Sequence, residues 1–183
     1  MSYSLGEIEV LCRKAAKGAG FTWGEAEEAG QAMRILAASQ LPAVEAFSAY
    51  LQSPTSHECP IRLGCELVDG VNLGVFSSAH PLLLMPFVAR IAASQEAPLS
   101  LIGDSFEAVA MPDLTIIASR VSDASTGLQL TKAAPQQGLS RIYRAQASED
   151  DLARLNEFAH RTYAPETEAR KRSGAGAGDD GNV

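Results

Sequence analysis

Near Leu99 the apolar residues of this chain change their spacing, and that change constrains the fold class more than any motif does. Before it they recur every three or four positions, the repeat of helices. After it they alternate or run in short blocks broken by turn residues, the repeat of strands. Helices gathered on one side of the switch and strands on the other predict an α+β fold rather than an alternating α/β one. The expected architecture is an N-terminal three-helix unit, a central apolar helix, an antiparallel sheet of about five strands, a C-terminal helix and an extended arm. Residues 1–163 are expected to form a single domain, helical over 1–53, mixed with the sheet over 61–147 and helical again over 148–163. Residues 164–183 read as a flexible, acidic Gly/Ala-rich tail.

The helical half is well punctuated. Ser4-Leu5-Gly6-Glu7 and Thr22-Trp23-Gly24-Glu25 both read as capping boxes, a hydroxyl for one orphan N–H and a glutamate for another. Leu5, Ile8, Leu11, Cys12, Ala15 and Ala16 line the first helix, which Lys14, Lys17 and the glycines Gly18 and Gly20 bring to an end. Small residues on the second helix let a neighbour approach closely. Trp23, the single tryptophan, is expected to be buried between the first two helices and the sheet. A third helix starts near Pro42. Ile61 to Val68 alternates loosely and reads as a strand after the Ser53 to Pro60 loop. His80 to Ala92 is apolar nearly all round and predicts a buried helix, with Pro81 in its first turn and Pro86 forcing a start or a kink. Such a segment belongs at the domain centre or at a subunit interface, and it carries the expectation of a homo-oligomer.

Beyond the switch, Leu99 to Ile102, Phe106 to Met111, Leu114 to Val121, Leu128 to Lys132 and Leu139 to Ala147 read as strands. Leu114 to Ala118 is the best central-strand candidate, and the short loops favour an antiparallel meander. Ser148 followed by three acids opens the last helix, whose apolar face is Leu152, Leu155, Phe158 and Ala159.

Charge and cysteine usage exclude several function classes. A net charge of −7 with scattered basic residues argues against nucleic-acid binding. Three cysteines, Cys12, Cys59 and Cys65, are an odd number in a chain large enough to fold without disulfides, so a reducing cytoplasm is expected. Met1 to Val10 lacks the features of a signal peptide. Gly70 to Ala89 is uncharged but too polar and proline-interrupted to span a bilayer, so no membrane partner is expected.

No motif assembles a catalytic centre, and the catalytic residues are unknown at this level. The glycines around Phe21 match no phosphate-binding fingerprint, and Glu25, Glu27 and Glu28 would repel an anion there while suiting the helix dipole. Those acids could supply an acid or base, but a solvated helix start accounts for them. Ser77-Ser78-Ala79-His80 lacks a nucleophile elbow. His57, Cys59, Cys65 and His80 are the metal-ligand candidates; their spacing fits no standard zinc pattern, so neither a metal nor another cofactor is expected. Arg161, Tyr163, Glu166 and Glu168 combine charge with an aromatic ring at short range, as a ligand- or carboxylate-binding loop would.

The tail wording Thr162-Tyr163-Ala164-Pro165-Glu166-Thr167-Glu168-Ala169, followed by Gly174-Ala175-Gly176-Ala177-Gly178, joins Ser4 to Glu7 and Gly20 to Gly30 in a pattern. That pattern resembles a family of uncharacterised bacterial proteins known as a domain of unknown function, with departures at Arg170-Lys171 and Asp179 to Asn182. The resemblance implies no activity. Two functions stand open: a non-catalytic accessory or self-associating module of bacterial metabolism, or an enzyme or binder of a small anionic or amino-acid-like ligand with the arm closing its site.

Overall fold

The computed structural model describes residues 2–53, 58–122, 124–138 and 140–162. Its elements are β1 (Ser2–Ser4), α1 (Leu5–Gly18), α2 (Trp23–Ala38), α3 (Ala43–Gln52), α4 (Pro60–Val68), β2 (Phe76–Ser78), α5 (Pro81–Gln95), β3 (Leu99–Ile102), β4 (Glu107–Ala110), β5 (Ile116–Arg120), β6 (Ser125–Lys132), β7 (Arg144–Gln146) and α6 (Glu149–His160). This is the α+β class, six helices with a five-stranded antiparallel sheet.

Both capping boxes form. Ser4 Oγ accepts the Glu7 N–H at 3.2 Å while the Glu7 carboxylate accepts the Ser4 N–H at 2.7 Å. Thr22 and Glu25 repeat the exchange at 3.3 and 2.8 Å. Helix α1 closes in a Schellman turn: Gly20, at φ +101°, donates to Lys17 O, and Phe21 donates to Ala16 O. Helices α1 and α2 pack closely because Ala15, Ala16, Ala26 and Ala29 are small and Gly30 lies against the Glu9 carbonyl.

Helix α5 is the centre of the molecule. It packs on β3, β4 and β5 on one side and on α2, α3 and α4 on the other. Leu83, Leu84, Phe87 and Val88 are buried within the single chain, each worth about 1.5–3 kcal/mol of hydrophobic stabilisation. The side chains that suggested a subunit interface are therefore already covered. The helix runs through Pro86, which forgoes one backbone bond and is itself buried.

Four expectations are corrected. Ile61 to Val68 is not a strand but most of α4, with Pro60 setting the first turn and Ile61, Gly64 and Leu67 facing the core three apart. Leu114 to Ala118 is not a central strand: Leu114 takes φ +67° in the Pro112-Asp113 turn, and β5 starts at Ile116 on the sheet edge. The strands do not run as a simple meander. The order is β2-β6-β3-β4-β5, so β3 to β5 follow one another and β6 returns beside β3, a Greek-key arrangement. Of the described residues from 140 to 147, those in a strand are β7, which pairs with β1 in a separate two-stranded sheet.

Trp23 is the fifth correction. Its ring is 65% exposed at the first turn of α2, with the Lys17 ammonium 5.0 Å from its centroid. The turn between α1 and α2 carries this position past the end of α1, where none of the described residues forms a second layer over it. Among the described residues no helix is long and apolar enough to cross a membrane.

Candidate functional site

The α1–α2 corner is also where α3 and α6 meet. A Cβ at Gly18 would lie 1.7 Å from Phe158 O, so this glycine allows the end of α6 to rest directly on the end of α1. That contact places Phe158 and Arg161 beside Ala19 and Phe21, with Tyr50 and Leu51 of α3 behind them. The six residues line a cleft of about 360 Å³. Its walls are mainly aromatic: Phe21 and Tyr50 meet edge to face at 6.4 Å, and the Arg161 guanidinium lies 4.3 Å from the Phe158 ring centroid. A second cation borders the corner, since Lys17 Nζ donates to Phe21 O at 3.1 Å.

Behind the cleft a polar cluster links α3, α4 and α5. Tyr50 is 3% exposed, and burial, followed by its hydrogen bond with Cys59, pushes its phenol well above the usual range. The His80 ring stands edge-on to Tyr50 at 5.0 Å. Glu58 accepts the Ser78 hydroxyl and the Ala79 N–H, the latter at 3.2 Å, while the His80 N–H donates to Ser78 Oγ at 3.0 Å. Glu58 thereby ties the entry of α4 to the entry of α5. Glu25 pairs with Arg62 and Glu28 with Arg90, joining α2 to α4 and α5.

These placements answer the residue-level expectations. Arg161 lies in the cleft; Tyr163, Glu166 and Glu168 lie outside the described residues, as does His57. Cys59 and His80 both adjoin Tyr50. Cys65 sits on α4, its thiol pushed up to about 11 by burial first and then by the Glu28 charge. Cys12 is fully buried and shifted upward by that burial alone. Among the described residues no group of three or more His, Cys, Asp or Glu could hold a metal ion. The sequence reading missed Phe21, Tyr50 and Phe158 as neighbours. Phe158 and Tyr50 have helical spacing to buried partners, but nothing local shows that α3 and α6 converge on Gly18.

Taken together, the fold and cleft define a single-layer sheet capped by helices, with an aromatic, cation-edged cleft at a helix–turn–helix corner. The chain belongs to the family described as Protein of unknown function (DUF3726), whose model matches residues 3–105, more than half of its length. The matched span covers α1 to α5 and β3 and stops in the turn before β4; the tail wording lies outside it. No match was found among curated proteins or among solved structures.

Proposed function

We propose that the protein is a non-catalytic accessory module of metabolism, acting by binding rather than by turnover. One observation carries this reading: the acids best placed for acid–base work already hold elements together. Glu25 and Glu28 face arginines, and Glu58 accepts from Ser78 and Ala79. The corner cleft meanwhile offers ring faces and a guanidinium, groups that bind and orient, while the phenol of Tyr50 is engaged with Cys59. The three free cysteines support the cytoplasm as its compartment. Self-association would have to use surface outside α5, whose side chains are covered within one chain.

The test is a thermal-shift screen with small anionic metabolites, followed by mass spectrometry of any compound that stabilises the protein. Recovery of the compound unchanged after prolonged incubation is expected. Time-dependent conversion that is lost in Glu58→Gln or Ser78→Ala would overturn the reading.

A further inference from the structure

We propose that the corner cleft binds a small monocarboxylate bearing an aromatic or branched apolar group. The carboxylate sits on Arg161, and the apolar group lies among Phe21, Leu51 and Phe158. This rests on the binding role proposed above and assigns it a place and a ligand class.

Arg161 is the reason for a carboxylate. Arg34, Arg62, Arg90, Arg120 and Arg154 are each engaged in an ion pair, whereas among the described residues Arg13, Arg141, Arg144 and Arg161 are not; of these four, Arg161 is the one in the wall of the cleft. The Phe158 ring face holds its guanidinium at 4.3 Å, and a guanidinium held over a ring can still donate to a carboxylate in bidentate fashion through its N–H fork.

The remaining walls set the rest of the ligand. Phe21, Leu51 and Phe158 gain by covering an apolar group, and about 360 Å³ is at the small end of the range for ligand sites. One ring or one branched chain fits that space. A dianion is disfavoured, because α1, α3 and α6 all end at this corner and present the negative ends of their dipoles. Lys17 and Arg161 together outweigh those three ends, each equivalent to about half a negative charge, and leave positive potential for a single negative charge.

The experiment is isothermal titration of the full-length chain with phenylacetate, phenylacetamide and inorganic phosphate. Phenylacetate should bind, with the neutral amide about tenfold weaker or more and phosphate no tighter than the amide. Arg161→Ala should weaken phenylacetate by about tenfold, and Arg161→Lys should recover part of the loss because it keeps the charge but not the fork. Ala19→Phe, which fills the cleft without touching a charge, should abolish binding. Each variant is compared with wild type by melting temperature, so that loss of fold is separated from loss of site. Equal binding of acid and amide, an unchanged affinity in Arg161→Ala, or no binding to the wild type would each overturn this assignment. Conversion of phenylacetate would instead overturn the non-catalytic reading and leave the site standing.

Discussion

Gly18 and Gly24 should respond to alanine in opposite directions. At Gly18 the new methyl meets a backbone carbonyl of α6 that cannot rotate away, so α1 and α6 must separate. Gly18→Ala should lose about 1–3 kcal/mol in denaturant unfolding, the usual range for an overpacked contact. At Gly24 nothing lies within 4 Å, and α2 gains a better helix former. Gly24→Ala should therefore gain up to about 1 kcal/mol. Trp23 shows where single residues resist being read from sequence. The capping box fixes its place in the first turn, but which side of that turn is covered depends on where α1 ends, a tertiary fact. Its exposure means that Trp23→Ala should lose under about 1 kcal/mol, the scale of an exposed cation–π contact, rather than the several expected of a core ring. Its emission should be that of a hydrated indole, readily quenched by acrylamide. A blue-shifted, shielded emission would contradict the structure. Arg161 entered as a candidate through Tyr163, Glu166 and Glu168, which lie outside the described residues; Tyr50 did not enter, because its neighbours Phe21, Cys59 and His80 are far away in the chain.

At the scale of elements, the helix starts were legible because caps are local chemistry. The Glu25 carboxyl is held at about 2, below its usual 4.5, by Arg62 first and then by the Thr22 N–H. A depressed carboxyl stabilises the fold above its ordinary value, and that contribution is lost as pH falls from about 4.5 through about 2. Between neutral pH and pH ~3 the wild type should thus lose about 1 kcal/mol more than Glu25→Gln, once solvent screening of the pair is allowed for. Urea unfolding at both pH values measures this. Helix α4 was misread because Ile61, Leu63, Cys65 and Leu67 alternate as well as any strand. What decides it is Gly64, which places α4 against the Phe87 ring: a Cβ there would come within 2.2 Å of that ring. Gly64→Ala should therefore destabilise by about 1–3 kcal/mol. Phe87→Leu makes room, so the double variant should lose less than the sum of the two singles, a coupling that a double-mutant cycle resolves. Additive losses would mean that α4 does not rest on Phe87. The edge position of β5 was illegible for a different reason. Strand propensity favours Ile116 and Ile117 in any position, and their place at the edge follows from β6, which pairs with β3 rather than with β5. The start of β6 is held beside the end of β3 by the Asp104 N–H, which donates to Thr126 O at 3.0 Å.

At the scale of the molecule, the change of period predicted the fold class, because it separates helices from strands along the chain. It could not predict how strongly the two halves depend on each other. The family match ends at residue 105, yet the first half is not closed there. Strand β3 lies between β4 and β6, and both come after that point. Helix α1 rests on α6, where Leu155 is fully buried. Among the described residues strand β1 pairs with β7 alone, and the Ser39 hydroxyl at the end of α2 accepts the Ile116 N–H at 3.0 Å. Removing residues 106–183 would uncover Leu101, one face of α5 and the outer side of α1. Each large side chain re-exposed loses about 1.5–3 kcal/mol, so a handful of them equals the ~5–15 kcal/mol by which a domain of this kind is stable. The fragment 1–105 should then keep helical far-ultraviolet dichroism but show no cooperative melt and bind anilinonaphthalene sulfonate strongly, as a state with secondary structure and no fixed packing does. The full chain should melt in one transition. If the fragment instead melts cooperatively and β3 amides exchange as slowly in it as in the full chain, the matched segment folds alone. The sheet would then be an appendage to a helical domain rather than the other wall of a shared core.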